Sequence, residues 1–470
     1  MKLQSYVADK WIAPEGNLAP IASAITGETV AETGTTVRDF KAMLDHARTV
    51  GGPALRKMTF HQRAKMLKAL GDAVMAKKDE LYELSYNTGA TKSDSWIDIE
   101  GGAGTLFAYS SKGRRELPND TIIVEGAPEG LSKRGTFMGQ HVLTSRQGAA
   151  VHINAFNFPV WGMLEKLGPT LLAGVPAIVK PATATAYLTE AAFRILIEAN
   201  VLPKGALQLI VGPTGDLFDH LTGQDVVSFT GSADTAQKLQ RHPAIARESV
   251  RFIAERDSLN AAVLGPDAVQ GTPEFDLFVK EVVREMTVKA GQKCTAIRRA
   301  LVPAAQMDAA EAALKKALSE IVVGDPHDPA TEVGALVHPE HYAKVMSYVE
   351  LGKSEGRLLA GGGRPEGLPD GNYVSPTVFA DVAPTARIFQ EEIFGPVVAI
   401  TPFDTDEEAL ALANGVRYGL AAYLWTSNLT RAHNFAHATE AGMVWLNSHN
   451  VRDLRTPFGG VKASGLGHEG

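Results

Sequence analysis

Four short apolar runs punctuated by glycine and proline constrain the fold of this chain most. They are GAAVHIN (148–154), GVPAIVKPA (174–182), GALQLIVG (205–212) and DVVSFTGS (225–232). Runs of this length without polar alternation read as strands buried on both faces. The stretch LTEAAFRILIEAN between the second and third has helical spacing. Strand and helix in alternation give a parallel, doubly wound sheet of the nucleotide-binding kind. Elsewhere, TFHQ opens a helix, with Thr59 as cap and Gln62 reaching back. Ala64, Leu67, Leu70, Val74, Leu81 and Leu84 continue it at helical intervals. VREMTVKAGQKC reads as a helix that ends near the cysteine, and GGGRPEGLPDGNYVSP (361–376) as a surface loop.

Composition excludes several classes. With 45% apolar and 21% charged residues, the chain is a globular protein. Its 470 residues suggest roughly two to four domains. The net charge of -7 is spread out with no basic block, so nucleic acid is not an expected partner. No apolar run reaches the roughly eighteen residues of a membrane helix, and MKLQSYVADKWIAPEG lacks the apolar core of a signal peptide. One cysteine makes no internal disulfide, so a cytoplasmic α/β enzyme is expected. No set of His, Cys or Asp has metal-ligand spacing.

That cysteine, Cys294, sits in AGQKCTAIRRA. A free cysteine is often a small core residue, but Gly291, Gln292, Lys293 and Thr295 are not core neighbours, which places the sulfur on a turn facing a cleft. A thiolate there would be nucleophilic. Glu255, in FIAERDSLN, follows the apolar Phe252, Ile253 and Ala254. A carboxylate in such a setting can act as a base near neutrality; the bland alternative is a solvated glutamate. Asn157, in AFNFP, has an amide able to donate to an oxyanion, or simply to stabilise the turn before Pro159.

AFNFP, IVKPATATA, SFTGS, AGQKC, EEIFGP and PFGGVKASG occur in this order. Together they resemble the signature set of the aldehyde dehydrogenase superfamily over nearly the whole chain. Up to about residue 300, TGATKSDSWIDIEGGAGTLF, VHINAFNFPVWGMLEKL and DSLNAAVLG are similar to the enzymes of aerobic phenylacetate and benzoate breakdown, which oxidise CoA-linked semialdehydes. The C-terminal MVWLNSHNVRDLRTPFGGVKASGLGHEG resembles the carboxymethyl-hydroxymuconic semialdehyde dehydrogenases. The chain therefore reads as a mosaic with a boundary between 300 and 385. The hydratase domain of the phenylacetate proteins is not expected here, nor is the short joining strand that relatives carry beyond the position of Gly470.

The resemblance implies roles. Cys294 attacks the aldehyde carbon, Asn157 and the Cys294 backbone N–H hold the oxyanion, and the thiohemiacetal yields hydride to nicotinamide. Glu255 then activates water against the thioester. No GxGxxG directly follows a strand and opens a helix, so the usual fingerprint is missing; FTGS takes its place, with Gly231 admitting the pyrophosphate and Ser232 at a helix N-terminus. Lys180 would reach the adenosine ribose. NAD-preferring relatives carry a glutamate three residues later, where this chain has Thr183. NADP is therefore expected, with NAD as the alternative. Glu392 would hold the nicotinamide ribose and Phe394 pack near the nicotinamide. Phe156, Trp161 and Phe458 are candidates to line the aldehyde tunnel. Arg452 and Arg455 could grip a substrate carboxylate, or be solvated surface charges.

The implied architecture is an α/β aldehyde dehydrogenase fold. Residues 1–122 and 147–255 form a Rossmann-like nucleotide-binding domain, and 256–436 an α/β catalytic domain. Residues 123–146 form a hairpin for oligomerisation, giving a homodimer or dimer of dimers. Residues 437–470 return to the first domain at the substrate entrance. The leading function is oxidation of a CoA-linked semialdehyde of the 3,4-dehydroadipyl or oxepin-derived type. Alternatives are a free hydroxymuconic-type semialdehyde with NAD, a CoA-acylating enzyme (against which Glu255 argues), and a non-catalytic protein with a retained fold.

Overall fold

The structure is a computed structural model that describes residues 1–448 and 451–468. Residues 449–450 and 469–470, within the C-terminal motif and the expected 437–470 segment, lie outside the described residues.

Two sheets carry the fold. The four apolar runs become strands Ala150–Ile153, Ala177–Lys180, Leu207–Leu209 and Val226–Thr230, joined by Arg251–Glu255. All five are parallel. Numbered along the chain, they lie in the order 3-2-1-4-5, with Ser5–Val7, Lys10–Ile12 and Gly465–Leu466 added at the edges. This is the doubly wound order, which reverses direction between Ala150–Ile153 and Val226–Thr230. Such sheets bind ligands at that reversal, beyond the C-terminal strand ends. Asn157 follows the first of these strands, and Gly231 and Ser232 follow the second.

The second sheet runs Arg357–Ala360, Thr377–Ala380, Val397–Phe403, Ile297–Pro303, Asn260–Leu264, Ala421–Trp425 and Met443–Leu446. All its pairs are parallel except the first. Met443–Leu446 pairs with Ala421–Trp425 in register, so this sheet extends past the limit expected at residue 436. The apolar Met443, Val444, Trp445 and Leu446 complete its edge, where Trp445 stacks on Tyr423 at 5.3 Å. Residues 123–146 supply an antiparallel pair, Ile123–Gly130 with Met138–Leu143, that joins neither large sheet.

Local chemistry explains the helices that frame the site. Thr59 and Gln62 form the expected capping box on Phe60–Ala76. Thr91 and Asp94 form a second one on Lys92–Arg115. This long helix packs on Pro159–Leu172, and its glycines make the close approach available. A Cβ at Gly101 would lie 2.4 Å from the Trp161 ring, and one at Gly102 3.1 Å from the Trp161 Cα.

Two expectations change. The helix before Cys294 stops at Thr287, because Lys289, Ala290 and Gly291 all take left-handed backbone (φ 54°, 51° and 71°). The 361–376 loop is not all surface: Asn372, Tyr373 and Val374 are buried. Asn372 ties it inward through bonds to the Leu336 and Ala24 carbonyls.

Candidate active site

Glu255 ends the last strand of the core five, and the next residues cross to the second sheet, where strand Asn260–Leu264 begins. Cys294 lies just before strand Ile297–Pro303 of that second sheet. The crossing segment meets the cysteine directly. Ser258 Oγ donates to the Cys294 carbonyl at 2.5 Å and Asn260 Nδ2 donates to it at 2.8 Å.

Every carbonyl from Gly291 to Ala296 accepts a hydrogen bond. Arg298 Nη2 serves Gly291 at 2.6 Å and Lys293 at 3.1 Å. Asn157 Nδ2 serves Gln292 at 3.0 Å. Tyr423 serves Thr295 at 2.7 Å, and Asn260 also serves Ala296 at 2.8 Å. A run of left-handed non-glycine residues costs of order 1–3 kcal/mol each and persists only where the surroundings enforce it. Here Lys289 N donates to Asp94 Oδ1 and Lys289 Nζ to Thr88 Oγ1, each at 2.7 Å. Gln292 donates to the Lys289 carbonyl and accepts from Val337 N. At Gly291 a Cβ would lie 2.3 Å from the Gly395 carbonyl oxygen, so only glycine fits.

The Asn157 turn is fixed by the same long helix. Asp98 Oδ1 accepts from Val160 N at 3.0 Å and Trp161 N at 2.7 Å, capping Pro159–Leu172 from outside. Burial pushes the Asp98 carboxyl up to about 7, against these two N–H bonds and the Lys289 charge. Asp94 and Asp98 thus hold the thiol loop and the amide turn on one scaffold.

The structure brings Cys294, Glu255 and Asn157 together. The Glu255 carboxylate hydrogen-bonds the Cys294 thiol. Burial first, then the Glu255 charge and this bond, push the thiol well above its ordinary value, while Arg452 and Lys293 pull it down. Asn157 is buried beside the same loop and keeps a second amide hydrogen for an oxyanion.

Of the expected cofactor residues, Gly231 and Ser232 lie at the sheet reversal, Lys180 ends the neighbouring strand, and Glu392 and Phe394 precede a strand of the second sheet. Ser232 caps helix Ala233–Gln240 by accepting from Thr235 N. Gly231 N donates to the Glu255 carbonyl at 3.2 Å, linking this turn to the strand that ends in Glu255. Lys180 ends its strand with its ammonium on the Pro181 carbonyl at 2.6 Å, and burial lowers it to about 8. Thr183 is exposed at the start of the following turn. Glu392 accepts from Ser258 N and Oγ (3.1 and 3.2 Å). Burial raises its carboxyl to about 7 against the pull of Arg298. Phe394 has left-handed backbone (φ 56°) and its carbonyl accepts from His341 Nε2 at 2.8 Å. This set fits a nicotinamide dinucleotide: a helix N-terminus, a half-buried cation bonded to a carbonyl, and an acid held by Ser258.

The tunnel candidates separate. Phe156 packs edge-on to Phe394 and beside His338 and His341, on the Glu392 side. Trp161 and Phe458 instead flank Arg452, whose guanidinium lies 5.6 and 4.0 Å from their ring centres. Arg452 Nη2 pairs with Glu165 at 2.5 Å. Arg455 does not join them: it is 70% exposed and pairs with Asp453, two residues away. Among the described residues, no cluster of three or more His, Cys, Asp or Glu could hold a metal ion.

The sequence profile of the aldehyde dehydrogenase family matches residues 11–470. The chain belongs to the aldehyde dehydrogenase family. Aldehyde dehydrogenases are oxidoreductases that act on aldehydes, and NAD or NADP serves them as cofactor. The chain is 41% identical to 3,4-dehydroadipyl-CoA semialdehyde dehydrogenase of Aromatoleum evansii, over 91% of this chain and 84% of that protein. It is 34% identical to 2-hydroxymuconic semialdehyde dehydrogenase of Pseudomonas sp. (strain CF600), over 92% and 88%. Among solved structures, HpcC of Thermus thermophilus superposes with a TM-score of 0.90 at 30% identity, covering 100% of this chain and 90% of that one. No described helix of this aldehyde dehydrogenase is long and apolar enough to cross a membrane.

Sequence reasoning missed Asp94, Asp98, Ser258, Asn260, Glu165 and Arg298. Only the acids carried a signal: in TKSDSWIDIE, Asp94 and Asp98 sit at i and i+4, on one helix face.

Proposed function

We propose that this protein oxidises a CoA-linked semialdehyde from aromatic-compound breakdown to its carboxylic acid, using NADP, with Cys294, Glu255 and Asn157 as the reacting set. The observation that carries it is the Glu255–Cys294 contact, a base against the one thiol, in a loop whose carbonyls are all tied back. Cys294 adds to the aldehyde carbon as the thiolate, its proton released to solvent water, so Glu255 stays ionised. Asn157 Nδ2 and the Cys294 N–H take the oxyanion. The bound cofactor supplies the hydride acceptor, and Lys180, Gly231, Ser232, Glu392 and Phe394 are the residues to hold it. Glu255 next takes a proton from water, whose oxygen displaces Cys294 from the acyl carbon. This role for Glu255 favours hydrolysis over transfer to free CoA.

The 41% relative supports the CoA-linked substrate, and the 34% relative supports a free hydroxymuconic-type semialdehyde as the second reading. The exposed apolar face of the hairpin, with Val124, Phe137 and Met138, supports a homodimer or dimer of dimers. A cytoplasmic setting suits a reactive lone thiol. Thr183 supports NADP, because no carboxylate at that position opposes a 2′-phosphate. Thr183→Glu is expected to lower kcat/KM for NADP relative to NAD at least about tenfold, through like-charge repulsion. The test measures kcat/KM for both cofactors with a CoA-linked and a free carboxylated semialdehyde. Preference for NAD and the free acid in the unmodified protein would replace this reading with the second one.

A further inference from the structure

Arg452 is a cation placed beside the reacting groups: its charge acts on both Cys294 and Glu255. It is one-fifth exposed, and Glu165 is 7% exposed. Glu165 sits one helical turn beyond Trp161 on the helix that follows Asn157, and Trp161 Nε1 also donates to it. The Trp161 and Phe458 rings hold the guanidinium from its sides. A guanidinium has five donors in a fixed fork. One of them reaches Glu165, and Nε is buried without a hydrogen bond among the described residues. The other cation acting on the thiol, Lys293, is likewise paired, to Glu285 at 2.6 Å.

A largely buried guanidinium with spare donors would be a strong carboxylate receptor if it were alone. With a carboxylate already bound, the pair is neutral. A second carboxylate brought alongside would meet Glu165 at close range, in a setting that screens charge poorly. We propose that Glu165 neutralises Arg452 and thereby sets the charge class of the substrate: the approach to Cys294 accepts an aldehyde whose remote acid is masked as a thioester or ester, and discriminates against the same aldehyde with a free carboxylate. This rests on the proposed role of Cys294 as nucleophile and gives a physical reason for the CoA-linked choice.

The experiment compares one semialdehyde in two forms, the free acid and its methyl ester, in the full-length protein. The ratio of their kcat/KM values requires no CoA compound, so it is read independently of whether the CoA-linked substrate is the natural one. Glu165→Gln keeps an acceptor for Trp161 and removes the charge. It is expected to raise the acid-to-ester ratio about tenfold or more, the scale of one charge-assisted hydrogen bond. Adding Arg452→Met to it should abolish the gain. That double variant, neutral like the intact pair, should leave the ratio within about twofold of the unmodified protein, and it decides the matter should Glu165→Gln alone fail to fold. An unchanged ratio in folded Glu165→Gln overturns the proposal. So does a tenfold fall in the ratio in the double variant, which would mean that Arg452 already binds the substrate carboxylate. Should the CoA-linked compound prove inactive while the ratio still rises in Glu165→Gln, the proposed substrate fails and the charge pairing stands.

Discussion

Glu255→Gln is expected to reduce one equivalent of cofactor per active site and then nearly stop. The first half of the reaction needs the thiol, the oxyanion donors and a bound cofactor, and all of these survive the substitution. The second half needs a base for water, and the amide of glutamine is not one. Loss of a positioned general base costs about a hundred- to ten-thousandfold, so steady-state turnover should fall by that factor while the rapid burst remains. A second readout follows from the electrostatics. The Glu255 charge and its bond to the thiol both raise Cys294 above its ordinary value. Removing the charge leaves burial as the main opposing effect, so alkylation of Cys294 by iodoacetamide at a fixed pH near 8 should become faster. A variant that cycles at the original rate, or whose thiol reacts more slowly, would take Glu255 out of both roles.

Arg298→Met is expected to damage stability, the thiol and cofactor binding together. Arg298 is buried and joins two loops: Nη2 bonds the Gly291 and Lys293 carbonyls beside Cys294, and Nη1 bonds the Gly395 carbonyl beyond Glu392 at 2.8 Å. The Lys293 and Gly395 carbonyls keep second donors in Ala296 N and Val397 N, whereas the Gly291 carbonyl loses the donor that holds it. A buried acceptor left unpaired costs about 1–3 kcal/mol, enough to lower Tm by several degrees. A misplacement of about 1 Å at a reacting group can cost about a hundredfold in rate. Arg298 also lowers the Glu392 carboxyl, which burial nonetheless raises to about 7. Without the guanidinium, Glu392 stays protonated to higher pH, so any cofactor contact that needs its charge is lost near neutrality and returns as pH rises. The expected pattern is a lower kcat, a raised cofactor KM and an alkaline shift of that KM profile. Arg298→Lys should recover only part of the stability, because one ammonium cannot span both loops. A fall in Tm with normal kinetic constants at low temperature would reduce Arg298 to a structural anchor.

The four strand runs were legible because those strands are largely buried on both faces and punctuated by glycine and proline. The sheet order then placed Asn157, Lys180, Gly231 and Ser232 on one edge of the sheet, as a doubly wound order requires. The left-handed run at Lys289 and Ala290 was not legible. Neither residue favours that backbone, and its cause is a set of bonds from Asp94, Thr88 and Gln292, two of them distant in sequence. The same holds for Arg452. From the sequence it was one of two equivalent arginines; the fold brings Glu165 against one and leaves the other in solvent with Asp453. Long-range ion pairing of this kind has no local signature. Phe156 illustrates a third limit, since an aromatic next to Asn157 can face either side of the turn, and packing with His341 and Phe394 decides which.

The most direct measurement is the mass of the Cys294 peptide. The protein is mixed with the CoA-linked semialdehyde and NADP, quenched in acid within the first turnover and digested. The expected result is an acyl adduct on Cys294, one per reduced cofactor formed, and no such adduct when the oxidised cofactor is omitted. Reduced cofactor produced while Cys294 stays unmodified, or produced equally by Cys294→Ala, would contradict covalent catalysis at this thiol.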